Sequence, residues 1–117
     1  MKNICFFDLE TKYLFEDINA EYPDLSFNER KRAITPKLGL ATACILAEGS
    51  KPEIFYFDEG QESNLIEALE GFYLIIGHNI LQFDYPVLSP HFNGAIVSHF
   101  SPKSLDTFEY LKNVTKG

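Results

Sequence analysis

Long apolar runs are missing from this chain. No stretch approaches the roughly 20 residues that a membrane span requires, and the longest candidates contain polar breaks, so no membrane-embedded segment is expected. The start, Met1-Lys2-Asn3 running straight into a strand-like segment, lacks the apolar core and cleavage site of a signal peptide. A cytoplasmic protein is the expectation. Cysteine is scarce: Cys5 and Cys44 are the only two. Both lie in apolar, strand-like runs, and no paired Cys/His spacing suits zinc, so two buried, reduced thiols are expected. Positive charge is scarce as well. Ten Lys and Arg against 17 Asp and Glu leave a net charge of −7, which argues against a free-standing nucleic-acid binder with a broad basic footprint. Arg30-Lys31-Arg32, with Lys37 and Lys12 not far away, is the local exception, and its simplest reading is a solvated helix face.

What remains is one compact domain. At 117 residues and 45% hydrophobic, residues 1–117 suffice for a single modest core. Residues 2–9 read as a strand apolar on both faces, hence central in a sheet. Residues 11–36 are polar and irregular, with a short helix expected after a cap at Ser26 or Asn28; so long a connection in a small domain is more often functional than idle. Strands over 38–47 and 53–57 flank the turn at 48–52 and form a hairpin or meander. Leu65, Ile66 and Leu69 give residues 61–71 a helical face that stops at Gly71. Residues 72–76 are a fourth, fully apolar strand. The segment 77–88 is expected to leave that strand into a short helix, with Tyr85-Pro86 fixing an extended turn. Residues 95–100 suggest a fifth short strand. Asp106-Thr107-Phe108-Glu109 has the spacing of a capping box and should open a last helix. The outcome is a mixed α/β sheet with an early antiparallel meander and flanking helices.

Two carboxylates stand out at the end of the first strand. Side chains two apart on a strand share a face, so Asp8 and Glu10 point the same way, roughly 6–7 Å apart. Such a pair repels unless a cation sits between them. Mg²⁺ suits it, because this ion takes carboxylate oxygens and keeps water positions for a substrate phosphate. In open α/β sheets ligands gather at the carboxyl ends of strands, and the exit of the fourth strand at Gly77-His78-Asn79 is another such end. If the two strands are neighbours, Asp84 comes near Asp8 as a third carboxylate.

These residues resemble a known family. Phe7-Asp8-Leu9-Glu10-Thr11 is similar to the first motif, Asp-x-Glu, of the DEDD-type 3′–5′ exonucleases of the ribonuclease H-like superfamily. Asn79-Ile80-Leu81-Gln82-Phe83-Asp84 is similar to their second motif, Asn-x-x-x-Phe-Asp. The wording around both resembles most the exonuclease-like domains found alone or attached to helicases, and the resemblance runs from residue 3 to about 114. It implies a ribonuclease H-like fold and hydrolysis of nucleic-acid phosphodiesters with two Mg²⁺ or Mn²⁺ ions roughly 3.5–4 Å apart. Asp8 would bridge both ions, Glu10 would hold the first and help place the attacking water, and Asp84 would bind the second. Thr11 would lie beside the terminal nucleotide, Asn79 would orient the motif or touch substrate, and Phe83 would anchor its helix in the core. The implied partners are a DNA or RNA 3′ end and, in a replication or repair setting, a helicase or similar protein. Metal ions that neutralise phosphate also make the acidic balance easier to reconcile with nucleic acid.

One departure matters. The family's third motif, a Tyr or His followed closely by Asp on a late helix, has no counterpart after Asp84. Asp106 is the only later Asp and matches the Asp-Thr that opens the following helix, so it is assigned to capping. The chain then represents the first two-thirds of a catalytic domain, or carries an incomplete site, or has the missing part supplied by a partner. A non-catalytic ribonuclease H-like binding module is the main alternative. A phosphatase of the haloacid-dehalogenase type fits poorly, since its second acid is Asp rather than Glu. His78 is expected to pack or hydrogen-bond beside the site, and His91 and His99 to lie at the surface.

Overall fold

A computed structural model describes residues 2–57, 60–91 and 95–115. Five strands, β1 (Lys2–Thr11), β2 (Leu40–Ala47), β3 (Glu53–Tyr56), β4 (Phe72–Gly77) and β5 (Ser104–Asp106), form one mixed sheet in the order β3-β2-β1-β4-β5. β1–β2 and β2–β3 pair antiparallel, whereas β1–β4 and β4–β5 pair parallel. The expected meander and the central position of β1 are both present. Six helices accompany the strands among the described residues: α1 (Phe15–Asn19), α2 (Phe27–Ile34), α3 (Glu62–Glu70), α4 (Tyr85–Leu88), α5 (Ile96–Phe100) and α6 (Thr107–Thr115). None of them is long and apolar enough to cross a membrane.

Strand alternation splits the sheet into two unlike faces. Cys5, Phe7 and Leu9 of β1, Ala43 and Ile45 of β2, Phe55 of β3 and Ile75 of β4 are buried in one core. Leu65 and Leu69 of α3, Val87 and Leu88 of α4, and Phe100 of α5 pack into the same core. Each such side chain contributes about 1.5–3 kcal/mol by leaving water. The other face is defined by the register Phe6↔Leu46, Phe6↔Ile76, Cys44↔Ile54, Thr42↔Tyr56 and Ile76↔Leu105. There Phe6, Leu46, Ile54, Tyr56 and Leu105 are each between two-fifths and about half exposed. Asp8 and Glu10 continue the same face toward the end of β1. Phe6 is therefore not the core residue its position in an aromatic run suggests. Cys44 is half-buried on this face and Cys5 fully buried on the other; neither forms a disulfide.

Local chemistry explains most element ends. Ser26 caps α2: its Oγ accepts from Glu29 N–H at 3.3 Å, while Glu29 Oε1 accepts from Ser26 N–H at 3.4 Å, a reciprocal capping box. Gly71 closes α3 as anticipated. Lys103 Nζ then donates to the carbonyls of Leu69, Glu70 and Phe72 at 3.1, 3.2 and 2.7 Å, satisfying acceptors left open at a helix end and tying β5 to α3.

Three expectations need correction. Residues 96–100 form α5, not a strand; the fifth strand is Ser104-Leu105-Asp106, whose pairing with β4 outweighs its weak apolar pattern. Tyr85-Pro86 is not an extended turn but the first turn of α4, with Tyr85 at φ −66°, ψ −44°. Proline is accommodated there because its fixed φ suits a helix and it stands at the start of α4, and Tyr85 is fully buried against Phe7 and Phe100. Within the irregular 11–36 segment, α1 forms a turn of helix that no pattern announces, its start held by Leu14 N–H donating to Asp17 Oδ2 at 2.9 Å.

Candidate functional site

β1 is longer than its neighbour β4. Their last paired residues are Phe6 and Ile76, and β1 runs on through Asp8 and Glu10 to Thr11. Beyond the end of β4 the chain must turn tightly against β1. Gly77 permits this: a Cβ there would lie 2.9 Å from the Phe7 carbonyl oxygen and would collide with the Ile80 side chain. Asn79 follows in the left-handed region at φ 60°, a conformation that Asn tolerates better than most residues. Ile80–Asp84 then form a single π-helical turn, which leads directly into α4. Such turns are uncommon and recur at functional sites.

The turn delivers Asp84 to the uncovered stretch of β1. Asp84 is only 4% exposed, and its Oδ2 has no hydrogen-bond partner within the protein. Its carboxyl pKa is pushed up to about 8, first by burial and next by the charge of Asp8; the backbone amides of Asp84 itself and of Leu9 pull the other way, and Asp106 adds to the rise. Asp84 therefore lies within electrostatic reach of Asp8, beside the end of the strand that neighbours β4. The sequence-based picture of Phe83 in the core with Asp84 a step around is inverted in degree: Asp84 is buried, while Phe83 is half-buried against the rim of the core.

Glu10 shares the face of Asp8 and is exposed. Among the described residues no three His, Cys, Asp or Glu side chains stand close enough to form a ready-made metal cluster. The arrangement is a buried Asp84 that feels the charge of Asp8, with Asp8 and Glu10 exposed on one face of β1. Thr11 sits at an irregularity in the β1–β2 register and donates its hydroxyl proton to the Tyr13 carbonyl at 2.9 Å. Asn79 Oδ1 is buried without a partner, so two polar atoms of this one turn, Asn79 Oδ1 and Asp84 Oδ2, lack protein hydrogen bonds. Buried polar atoms left this way are rare and costly, and they ask for a ligand, an ion or water.

Asp106 is used differently. Its Oδ1 accepts from the amides of Asn79 at 2.7 Å, Phe108 at 3.0 Å and Glu109 at 3.4 Å, and its Oδ2 accepts from Leu81 at 3.0 Å. The capping role assigned from sequence is present, extended by a second role that sequence spacing did not reveal: one carboxylate caps α6 and holds the turn that carries Asp84. Glu109, expected to complete the capping box, accepts instead from Gln82 Nε2 at 3.0 Å. His78 lies beside the site, with Nδ1 2.9 Å from Thr107 Oγ1 and its ring edge-on to Phe108. His99 is exposed and pairs with Glu70; the side chain of His91 lies outside the described residues.

Tyr85 completes the support. Ser104 Oγ donates to the Phe100 carbonyl at 2.7 Å, which leaves Tyr85 to donate to Ser104 Oγ at 2.6 Å. Burial pushes its phenol up to about 12, so Tyr85 stays protonated at neutral pH and acts as an anchor for α4. Compared with protein-family models, curated proteins and solved structures, the chain matches none.

Proposed function

We propose that this chain is a ribonuclease H-like domain that hydrolyses nucleic-acid phosphodiesters from a 3′ end with the help of Mg²⁺ or Mn²⁺. The observation that carries the reading is Asp84, a buried carboxylate with an unpartnered oxygen that feels the charge of a second carboxylate, Asp8. Protonation relieves that arrangement, and so does a hard divalent cation. The mixed sheet with its early antiparallel meander and flanking helices supports the fold half of the reading.

The chemistry of the donors suits such ions, since all are carboxylates: Asp84 is buried within electrostatic reach of Asp8, and Glu10 shares the face of Asp8 with its side chain open to solvent. When bound, the ions would supply an activated water and stabilise the leaving oxygen. The chain's own part is positional. Leu9 N–H and the Asp106-held turn set the Asp84 carboxylate, Thr11 marks the end of the acidic strand, and Asn79 Oδ1 is a buried acceptor that no group of the protein occupies. Asp106 does not stand in for the family's fourth acid, because its two oxygens are taken by four amides.

Titration with Mn²⁺ or Mg²⁺ alongside a 5′-labelled single strand, comparing wild type with Asp8→Ala, tests the proposal. Metal-dependent shortening from the 3′ end that disappears in Asp8→Ala is the expected result. Absence of metal binding by the wild type, or equal degradation by both proteins, overturns the enzyme and leaves a non-catalytic binding module.

A further inference from the structure

The segment between β1 and β2 builds a groove that the acid site does not use. Phe27 and Lys31 of α2 and Thr35 at its C-cap recur every four residues and so share a face. That face looks across to the turn that carries Asp84. One cavity of about 350 Å³ lies between Lys31 and Arg32 on one side and Gln82 and Pro86 on the other. A second, of about 150 Å³, is lined by the rings of Phe15, Phe27 and Phe83 together with Lys31 and Thr35. Lys31 and Thr35 border both cavities, which makes them adjoining parts of one groove. Lys31 Nζ donates to Gln82 Oε1 at 3.3 Å across it. Gln82 and Phe83 immediately precede Asp84, so the groove runs beside the turn that carries it.

Its chemistry is unusual for this chain. In a protein with a net charge of −7, the groove carries two cations. Among the described residues the one ion pair joins His99 to Glu70. Lys31 is therefore held by an amide rather than a carboxylate. The Glu29 carboxyl is held below its ordinary range first by its hydrogen bonds with Ser26 and only last by the charge of Arg32, with which it forms no ion pair. Beside the cations stands Phe27, 66% exposed at the first turn of α2. An exposed aromatic ring next to unpaired cations and amide groups matches an anionic backbone carrying flat, unpaired bases. It suits an acidic peptide less well, since a peptide does not carry a flat ring beside every charge as a nucleic-acid strand does.

We infer that this groove binds single-stranded nucleic acid, with a base stacked on Phe27 and the adjoining phosphates on Lys31 and Arg32, and leads its 3′ end toward Asp84. The substrate path rests on the proposed nuclease reading, but strand binding by the groove is measurable without it. Base stacking on an aromatic side chain and phosphate contacts by cations are the two terms that carry sequence-tolerant single-strand binding. The Arg30-Lys31-Arg32 run is accordingly not one solvated face. Arg30 turns inward, with Nη1 donating to Asn19 Oδ1 at 3.2 Å and its Nε buried, whereas Lys31 and Arg32 line the groove.

The test is fluorescence anisotropy with a labelled twelve-nucleotide oligothymidylate in EDTA, where no hydrolysis intervenes. Phe27→Ala should weaken binding about 5- to 100-fold, in line with the loss of one stacked base. The Lys31→Ala/Arg32→Ala double variant should lower the log–log salt slope by about 1.4, the share of two phosphate contacts on a single strand. Lys51→Ala, an exposed lysine away from the groove, serves as the control and should bind as wild type. Phe27 and Arg32 are exposed, so these variants are expected to fold, and circular dichroism checks it. Equal affinity of all variants, or binding of a blunt duplex as tight as of the single strand, overturns the groove. Hydrolysis of thymidine 5′-(p-nitrophenyl phosphate) by the wild type but not by Asp8→Ala tests the metal centre separately. Strand binding that follows the groove variants without such hydrolysis would sink the nuclease reading alone.

Discussion

Asp106 and Asn79 are joined by a 2.7 Å hydrogen bond from the Asn79 amide to the Asp106 carboxylate, so the start of α6 and the turn that carries the candidate site depend on one side chain. Replacing it should be felt at both places. Asp106→Ala removes four amide contacts to a buried carboxylate and should cost about 3 kcal/mol or more. Urea unfolding measures the loss, and hydrogen exchange should show lost protection at both the Leu81 and Phe108 amides. Asp106→Asn keeps one acceptor oxygen and should cost less. Loss of protection confined to α6 would refute the shared role.

Asp84 predicts an inverted pH dependence for the metal-free protein. Burial, and next the charge of Asp8, push its carboxyl in the folded state up to about 8 from an ordinary value of 3.8. The folded protein therefore keeps a proton that the unfolded chain releases. The stability from this group is fully present below about pH 4 and is lost as pH rises toward 8, at up to about 1.4 kcal/mol per pH unit. Unfolding by urea in EDTA across that range should show the fall. Asp84→Asn should flatten it, and saturating Mn²⁺ should offset it by favouring the ionised carboxylate.

Gly77 is required by space. Gly77→Ala would press a methyl group against the Phe7 carbonyl oxygen, 2.9 Å away, and into Ile80. An overpacked contact of this kind costs about 1–3 kcal/mol. Thermal unfolding should register it, and the displaced turn should weaken Mn²⁺ binding beyond what the stability loss explains.

Asn79 separates conformation from chemistry. Its φ of 60° is strained for Ala by about 1–2 kcal/mol and open to Gly. Asn79→Gly should therefore fold nearly as well as wild type, while Asn79→Ala is destabilised. Since Oδ1 makes no hydrogen bond within the protein, any loss of oligonucleotide affinity or cleavage in the stable Asn79→Gly variant reports on the amide group itself.

Much of this architecture is legible in the residues. The unbroken apolar run of β1, the Ser26 cap and the Leu65–Leu69 face are local signals, and they survive because packing agrees with them. Asp8 and Asp84 could be brought together on paper because parallel neighbours place their strand ends side by side. What escaped has physical reasons. The strand Ser104–Asp106 is three residues long and owes its form to β4. The run at 95–100 is too short for its periodicity to separate helix from strand. The π-helical turn depends on Gly77 and on Asp106, 27 residues beyond Asn79, so no local pattern announces it. The Lys31–Gln82 contact spans 51 residues, which is why the groove was not visible beside its own basic run.

The bare sheet face has a consequence for how the chain behaves as a colloid. Phe6, Leu46, Ile54, Tyr56 and Leu105 present a greasy plane, the kind of surface on which copies of a protein adhere. The net charge of −7 opposes that adhesion through like-charge repulsion, which reaches about 10 Å at 0.1 M salt and about 3 Å at 1 M. The dispersed state is thus guarded by charge rather than by coverage. Raising the ionic strength removes the guard while strengthening the adhesion, so light scattering should grow with salt, and a single charged replacement such as Leu46→Lys should suppress that growth even though it lowers the net repulsion.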